Sequence, residues 1–199
     1  MKIQGSKGKT KISEIPTLEQ LESELKRERF QKQYRDVIRS TILTLISVAA
    51  IAVLIATLWM PVFRIHGSSM TPTLNNGNIV IAVKSSQLDT GDIIAFYYNN
   101  KILVKRVIAQ PSQLVEVKRN GTVYVNNVEI EEPYLETKAF GDCNIKMPYQ
   151  VPESRYFVMG DHRDQSLDSR NAAIGCISEE QIVGELRFCI WPIHEFGPM

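Results

Sequence analysis

A stretch of 21 residues without a charge, STILTLISVAAIAVLIATLWM at Ser40–Met60, constrains this chain more than any other feature. The hydrocarbon core of a bilayer takes about 20 apolar residues as an α-helix, so the stretch is long enough to span. It is apolar on every side and has no amphipathic period, which argues against a helix buried in a soluble core. A cleaved leader fits poorly, because 39 residues precede the run and TLWMPVF offers no small-residue cleavage site. The flanks set an orientation. Lys26, Arg27, Arg29, Lys32, Arg35 and Arg39 precede the span, whereas Arg64 and Lys84 follow it sparsely. Positive charge stays inside, so the N-terminus is expected in the cytoplasm and Pro61–Met199 outside. Trp59 falls at the outer interface, where indole rings are favoured.

The organisation expected is a cytoplasmic tail at 1–39, disordered and then helical, a transmembrane helix at 40–60 and an extracytoplasmic domain at 61–199. The formal net charge of +1 forces no basic face, so no nucleic-acid partner is expected. Cys143, Cys176 and Cys189 all lie in the outer part. They allow one disulfide with one thiol left over, or simply small buried side chains. No C-x-x-C pair supports a metal or redox centre.

Thr17 reads as a helix N-cap with Gln20 in the capping-box position, ahead of a Leu18, Leu21, Leu25 stripe. After Pro61 the texture changes to short strands and turns. IVIAV (79–83), IIAFYY (93–98), ILVKRVI (102–108), LVEVK (114–118), TVYVN (122–126), VEI (128–130) and RYFVMG (155–160) read as strands. Asn99-Asn100-Lys101 and Arg119-Asn120-Gly121 read as hairpin turns. A helical period first reappears at Glu179–Leu186. The outer domain is therefore mainly β, of sandwich or barrel type, with antiparallel hairpins.

Three stretches could carry chemistry. In ILVKRVI, period-two alternation points Lys105 and Arg106 to opposite faces. A lysine among apolar neighbours loses its charge more easily and can act as a general base. From this stretch alone, Lys105 reads better as a side chain snorkelling from an edge strand. In GSSMTPTL (67–74), Gly67 lets the backbone approach a reacting carbonyl and Pro72 restricts the chain behind two serines. A serine so presented needs a base within hydrogen-bond reach. His66 is close in sequence but badly placed for a triad across a cleft. In GDHRDQSLDSR (160–170), Asp161, Asp164, Asp168, Arg163 and Arg170 read as an ion-pair network rather than a metal loop.

Taken together, these stretches resemble the boxes of the type I signal peptidases, membrane-anchored serine proteases of exported proteins. GSSMTPTL resembles the nucleophile box, with Met70 directly after Ser69 and Pro72 three residues on; GDIIAF (91–96) resembles the next box, LVKRVI (103–108) the general-base box and GDHRDQSLDSR the last. NGTVYVNNVEIEEPY (120–134) and GELRFCIWPIHEFG (184–197) also look familial, so the likeness covers nearly all of 40–197. The resemblance implies a β-rich fold shared with self-cleaving repressors, a single N-terminal transmembrane helix and a Ser-Lys dyad of Ser69 and Lys105. It implies that Ser166 orients the lysine and that the Ser69 N–H is an oxyanion donor. Gly67, Met70, Pro72, Arg106 and Asp161 are implied as support for the site, with Asp168 and Arg170 as a structural ion pair. It implies signal-peptide-bearing preproteins with A-x-A sites as substrates, the lipid bilayer as a partner, a monomer, and no metal or organic cofactor. The chain departs from the family pattern in four places. Gly67 replaces a serine found in some members, His162 replaces the usual asparagine, IAQPSQ (108–113) lacks a Gly-x-Pro-Gly-Asp turn, and Glu195 stands where a basic residue is common. Two rival readings are a non-catalytic membrane-anchored assembly factor and a self-cleaving regulator. Both dyad residues are present, which argues against the first. The N-terminal 39 residues are too short and irregular for a DNA-binding unit, which argues against the second.

Overall fold

The structure is a computed structural model that describes residues 17–84 and 87–199. The disorder expected for the first 16 residues lies outside the described residues. A single helix, α1 (Leu18–Trp59), follows. Gln20 Oε1 accepts the Thr17 backbone N–H at 3.1 Å, the capping contact read from the sequence. The helix runs 42 residues with none of them buried. Its last 20 residues are the apolar run, about 30 Å of helix at 1.5 Å per residue.

The rest of the described chain is β-rich. In chain order the strands are β1 (Val62–Arg64), β2 (Ile79–Val83), β3 (Ile93–Tyr98), β4 (Lys101–Ala109), β5 (Leu114–Val117), β6 (Val123–Val125), β7 (Val128–Glu129), β8 (Tyr149–Gln150), β9 (Arg155–Met159), β10 (Ile177–Ser178), β11 (Ile182–Trp191) and β12 (Gly197–Pro198). The large sheet has the order β1-β2-β11-β3-β4-β9-β10, with β12 added to β11; the small sheet has the order β7-β6-β5-β8. Neighbouring strands are antiparallel, as expected when short hairpins join them. Both hairpin turns are where the sequence put them. Asn99 takes φ 51° between β3 and β4, and Gly121 takes φ 86° between β5 and β6. Alternate residues face inward, and Ile108, Val115, Val123, Phe157 and Met159 form one core that joins the two sheets.

Two expectations fail. The period at Glu179–Leu186 does not make a helix. A 3₁₀ turn covers Glu179–Gln181, and then β11 runs ten residues through the middle of the large sheet. Its Ile, Val, Phe and Trp content suits a strand, and Gly184 discourages a helix. Gly184 also lets β2 approach, because a side-chain carbon there would stand 2.8 Å from the Val83 carbonyl oxygen. The second failure is the edge placement of Lys105. β4 lies between β3 and β9, so its second half is an interior strand and Lys105 is buried rather than snorkelling from an edge. All three cysteines are free thiols, with Cys176 and Cys189 buried.

Candidate active site

Lys105 sits in β4 opposite Ile94 of β3 and is 4% exposed. A lysine there has traded hydration for apolar walls. Its Nζ lies 2.7 Å from Ser69 Oγ. Burial lowers its pKa to about 8; Asp168 and Asp161 pull the other way, and Arg170 adds to the lowering. Desolvation therefore wins over two nearby carboxylates, and a sizeable neutral fraction exists close to neutral pH.

Ser69 rides on a turn, not on a strand. The turn is anchored from its apolar residues, since Met70 and Leu74 are buried among Ile65, Val80 and Leu186. Leu74 N–H donates to the Met70 carbonyl at 2.8 Å, and Thr71 donates to the Ser68 carbonyl through both N–H (3.1 Å) and Oγ1 (2.8 Å). Gly67 enters the turn at φ 91°, a conformation that costs a residue with a side chain. Ser68 is exposed, and its hydroxyl only reaches Gln165 Oε1 at 3.5 Å. A cavity of about 110 Å³ opens beside Ser69 and Lys105, walled by Phe63, Ile65, Met70 and Val104. His66 lines it as well but makes no hydrogen bond to Ser69 among the described residues, and His194 is mostly exposed beside Glu195.

The loop 160–170 closes the other side. The His162 backbone N–H donates to the Ser69 carbonyl at 3.1 Å. Asp161 takes a two-pronged contact from Arg106, 2.9 Å from Nε and 2.6 Å from Nη2, and also accepts the Thr73 hydroxyl at 2.6 Å. Arg106 further donates to the Gly91 carbonyl at 2.7 Å and lies 3.9 Å from the Tyr134 ring centre. Asp168 and Arg170, both fully buried, pair at 2.8 Å through two separate contacts. Arg170 also caps the Phe140 and Arg163 carbonyls. Ser166 is buried, and its Oγ has no hydrogen-bond partner; the bond to Lys105 that the family likeness implies is not made. Its hydroxyl nevertheless stands close, because a side chain on Gly160 would collide with both Ser166 Oγ and the Ser69 carbonyl. Only a glycine fits there.

Sequence reasoning missed several supports. Arg163 pairs with buried Glu132, and Tyr134 sits under Arg106. Both lie in the EEPY end of a stretch that looked familial, yet pairing across 31 residues leaves no local pattern. The network is thus wider than the 160–170 loop in which it was expected. Among the described residues no cluster of metal-binding side chains occurs.

Comparisons with known proteins identify the family. Residues 38–191 match the family described as signal peptidase, peptidase S26. Signal peptidase I of Bacillus amyloliquefaciens is 38% identical over 165 residues, covering 76% of this chain and 84% of that protein. Signal peptidase IB of Staphylococcus aureus strain Mu50 is 39% identical over 155 residues, covering 67% of this chain and 79% of that protein. Among solved structures, a signal peptidase I from Enterococcus faecalis V583 aligns with a TM-score of 0.44 at 31% identity, over 51% of this chain and 97% of that one. The chain therefore belongs to the peptidase S26 family of signal peptidases, which are serine endopeptidases.

Proposed function

We propose that this protein removes signal peptides from exported preproteins with Ser69 as nucleophile and Lys105 as general base. The observation that carries the reading is a desolvated lysine 2.7 Å from a serine hydroxyl at the edge of a small cavity. Neutral Lys105 takes the Ser69 proton as Oγ attacks the carbonyl carbon. The Ser69 N–H donates to the oxyanion. The C–N bond breaks, the protonated lysine gives its proton to the leaving amine, and an acyl-enzyme remains. Water, deprotonated by the same lysine, then releases the signal peptide. Asp168–Arg170 and Asp161–Arg106 hold the loop and β4 in register while the proton moves. Ser166, close to Gly160 and the Ser69 carbonyl, orients the ammonium once it forms.

A cavity of about 110 Å³ takes a small side chain and little more, which supports cleavage after small residues of the A-x-A type. Its walls come from β1 and the first half of β4, so a preprotein in extended form can lie between them. The exposed apolar half of α1 supports a bilayer-spanning anchor, with the basic flank inside and the β-domain outside as a monomer. No metal or organic cofactor enters any step.

The test uses the full chain in detergent with a preprotein carrying an A-x-A site. Ser69→Ala and Lys105→Ala should each lower kcat by about a thousandfold or more, with melting showing that the β-domain is folded. Cleavage retained by either folded variant overturns the dyad.

A further inference from the structure

We infer that His162 is a positioning residue for the nucleophile turn, acting through a proton that its ring gains and loses. The inference rests on the proposed role of Ser69. His162 Nδ1 lies 3.2 Å from the Ser68 carbonyl oxygen and 2.9 Å from Thr71 Oγ1. Its Nε2 lies 3.2 Å from Asp164 Oδ1. Thr71 Oγ1 itself donates to the Ser68 carbonyl at 2.8 Å. The turn 67–74 contributes no ionisable side chain. Asp164 is the charged group against the ring, while the neighbouring Asp161 and Arg163 are engaged by Arg106 and Glu132.

A carbonyl and a carboxylate can only accept hydrogen bonds. A ring protonated on both nitrogens donates to both at once. A ring with one proton serves one side only. When that proton is on Nε2 facing Asp164, Nδ1 accepts from the Thr71 hydroxyl, and the hydroxyl is withdrawn from the Ser68 carbonyl. The Ser68 carbonyl and the Ser69 N–H belong to one planar peptide, so fixing the first aims the second. The ring therefore sets the direction of the proposed oxyanion donor without touching the substrate. Its side chain is 32% exposed, so the effect is moderate rather than decisive.

The test measures kcat and KM for preprotein cleavage between about pH 5.5 and 9. His162→Ala should lower kcat about tenfold with KM changed less than about twofold, the pattern of a lost transition-state contact. His162→Asn, whose amide can donate to the Ser68 carbonyl, should recover most of the loss. Lys105 titrates in both wild type and His162→Asn, so it cancels from the ratio of their kcat values. That ratio should rise about threefold or more from pH 8 to pH 6, because a charged donor bonds more strongly than an amide. Wild-type kcat in His162→Ala, or a ratio flat with pH, overturns the inference. If His162→Ala does not fold, the asparagine ratio decides alone. Activity in Ser69→Ala would instead overturn the dyad reading on which this one stands.

Discussion

Two segments meet over Ser69 and are built in opposite ways. The turn 67–74 carries no charge, leaves Gly67 and Ser68 exposed and is anchored by Met70 and Leu74. The loop 160–170 is dense in charge, and Asp161, Arg163, Asp168 and Arg170 are each at most 2% exposed. Charge on the surface is ordinary; charge removed from water holds only when each group is paired and its remaining hydrogen bonds are met. The loop spends its ion pairs on rigidity, and the uncharged turn is free to present a hydroxyl to substrate. The proposed chemistry sits on the more exposed of the two because an attacking group must be reachable.

The largest effect that can break this comparison belongs to Lys105, which lies between the two segments. Lys105→Met should abolish cleavage, by about a thousandfold or more, and yet stabilise the domain. Burial lowers this pKa from 10.5 to about 8, so at pH 7 the folded state carries an ammonium it holds poorly. The unfolded chain binds that proton more readily. The penalty is therefore full below pH 8, about 3 kcal/mol at most, and fades as pH rises toward 10.5. Denaturant melts of Lys105→Met and wild type at pH 7 and pH 10 should show a gain at the first and little at the second. Wild-type cleavage should rise about tenfold per pH unit up to about pH 8 and then level.

Next in size, Asp168→Ala should cost about 3–5 kcal/mol, since it strands a guanidinium with no access to water. Calorimetry on the folded fraction checks this. A loss under about 1 kcal/mol would mean that the loop is not the rigid partner. Ser166→Ala should behave differently. Its hydroxyl is buried without a partner, so stability should stay within about 1 kcal/mol while kcat falls about tenfold or more. A melt alongside steady-state rates separates the two. The smallest effect is Ser68→Ala, with kcat within about twofold and stability within about 0.5 kcal/mol. A large loss there would assign the chemistry to the wrong serine.

Much of the fold can be read from local pattern. The hairpins at Asn99-Asn100 and Asn120-Gly121 follow from turn chemistry, and β2, β4 and β9 follow from apolar runs. The strand state of β11 leaves no local signal, because its neighbours on both sides, β2 and β3, decide it and they are distant in sequence. The same limit hid the interior position of β4, and with it the burial of Lys105. Period-two alternation in ILVKRVI separates Lys105 from Arg106 but says nothing of what covers either face. The choice of Ser69 over Ser68 came from family likeness, and the approach of Lys105 to Ser69 is a fact of the folded chain. The roles of Glu132, Tyr134 and Gly160 have no local signature, because their partners are met only in three dimensions.

The burial of Lys105 also bears on when this protein can act. On the proposed mechanism, the base is an ordinary, fully charged ammonium until β3, β4 and β9 close around it. A chain not yet folded has no working base, whatever serines it displays. Assembly of the sheet is then the activating event, and neither a propeptide nor a separate inhibitor is needed to keep the newly made chain from attacking its neighbours.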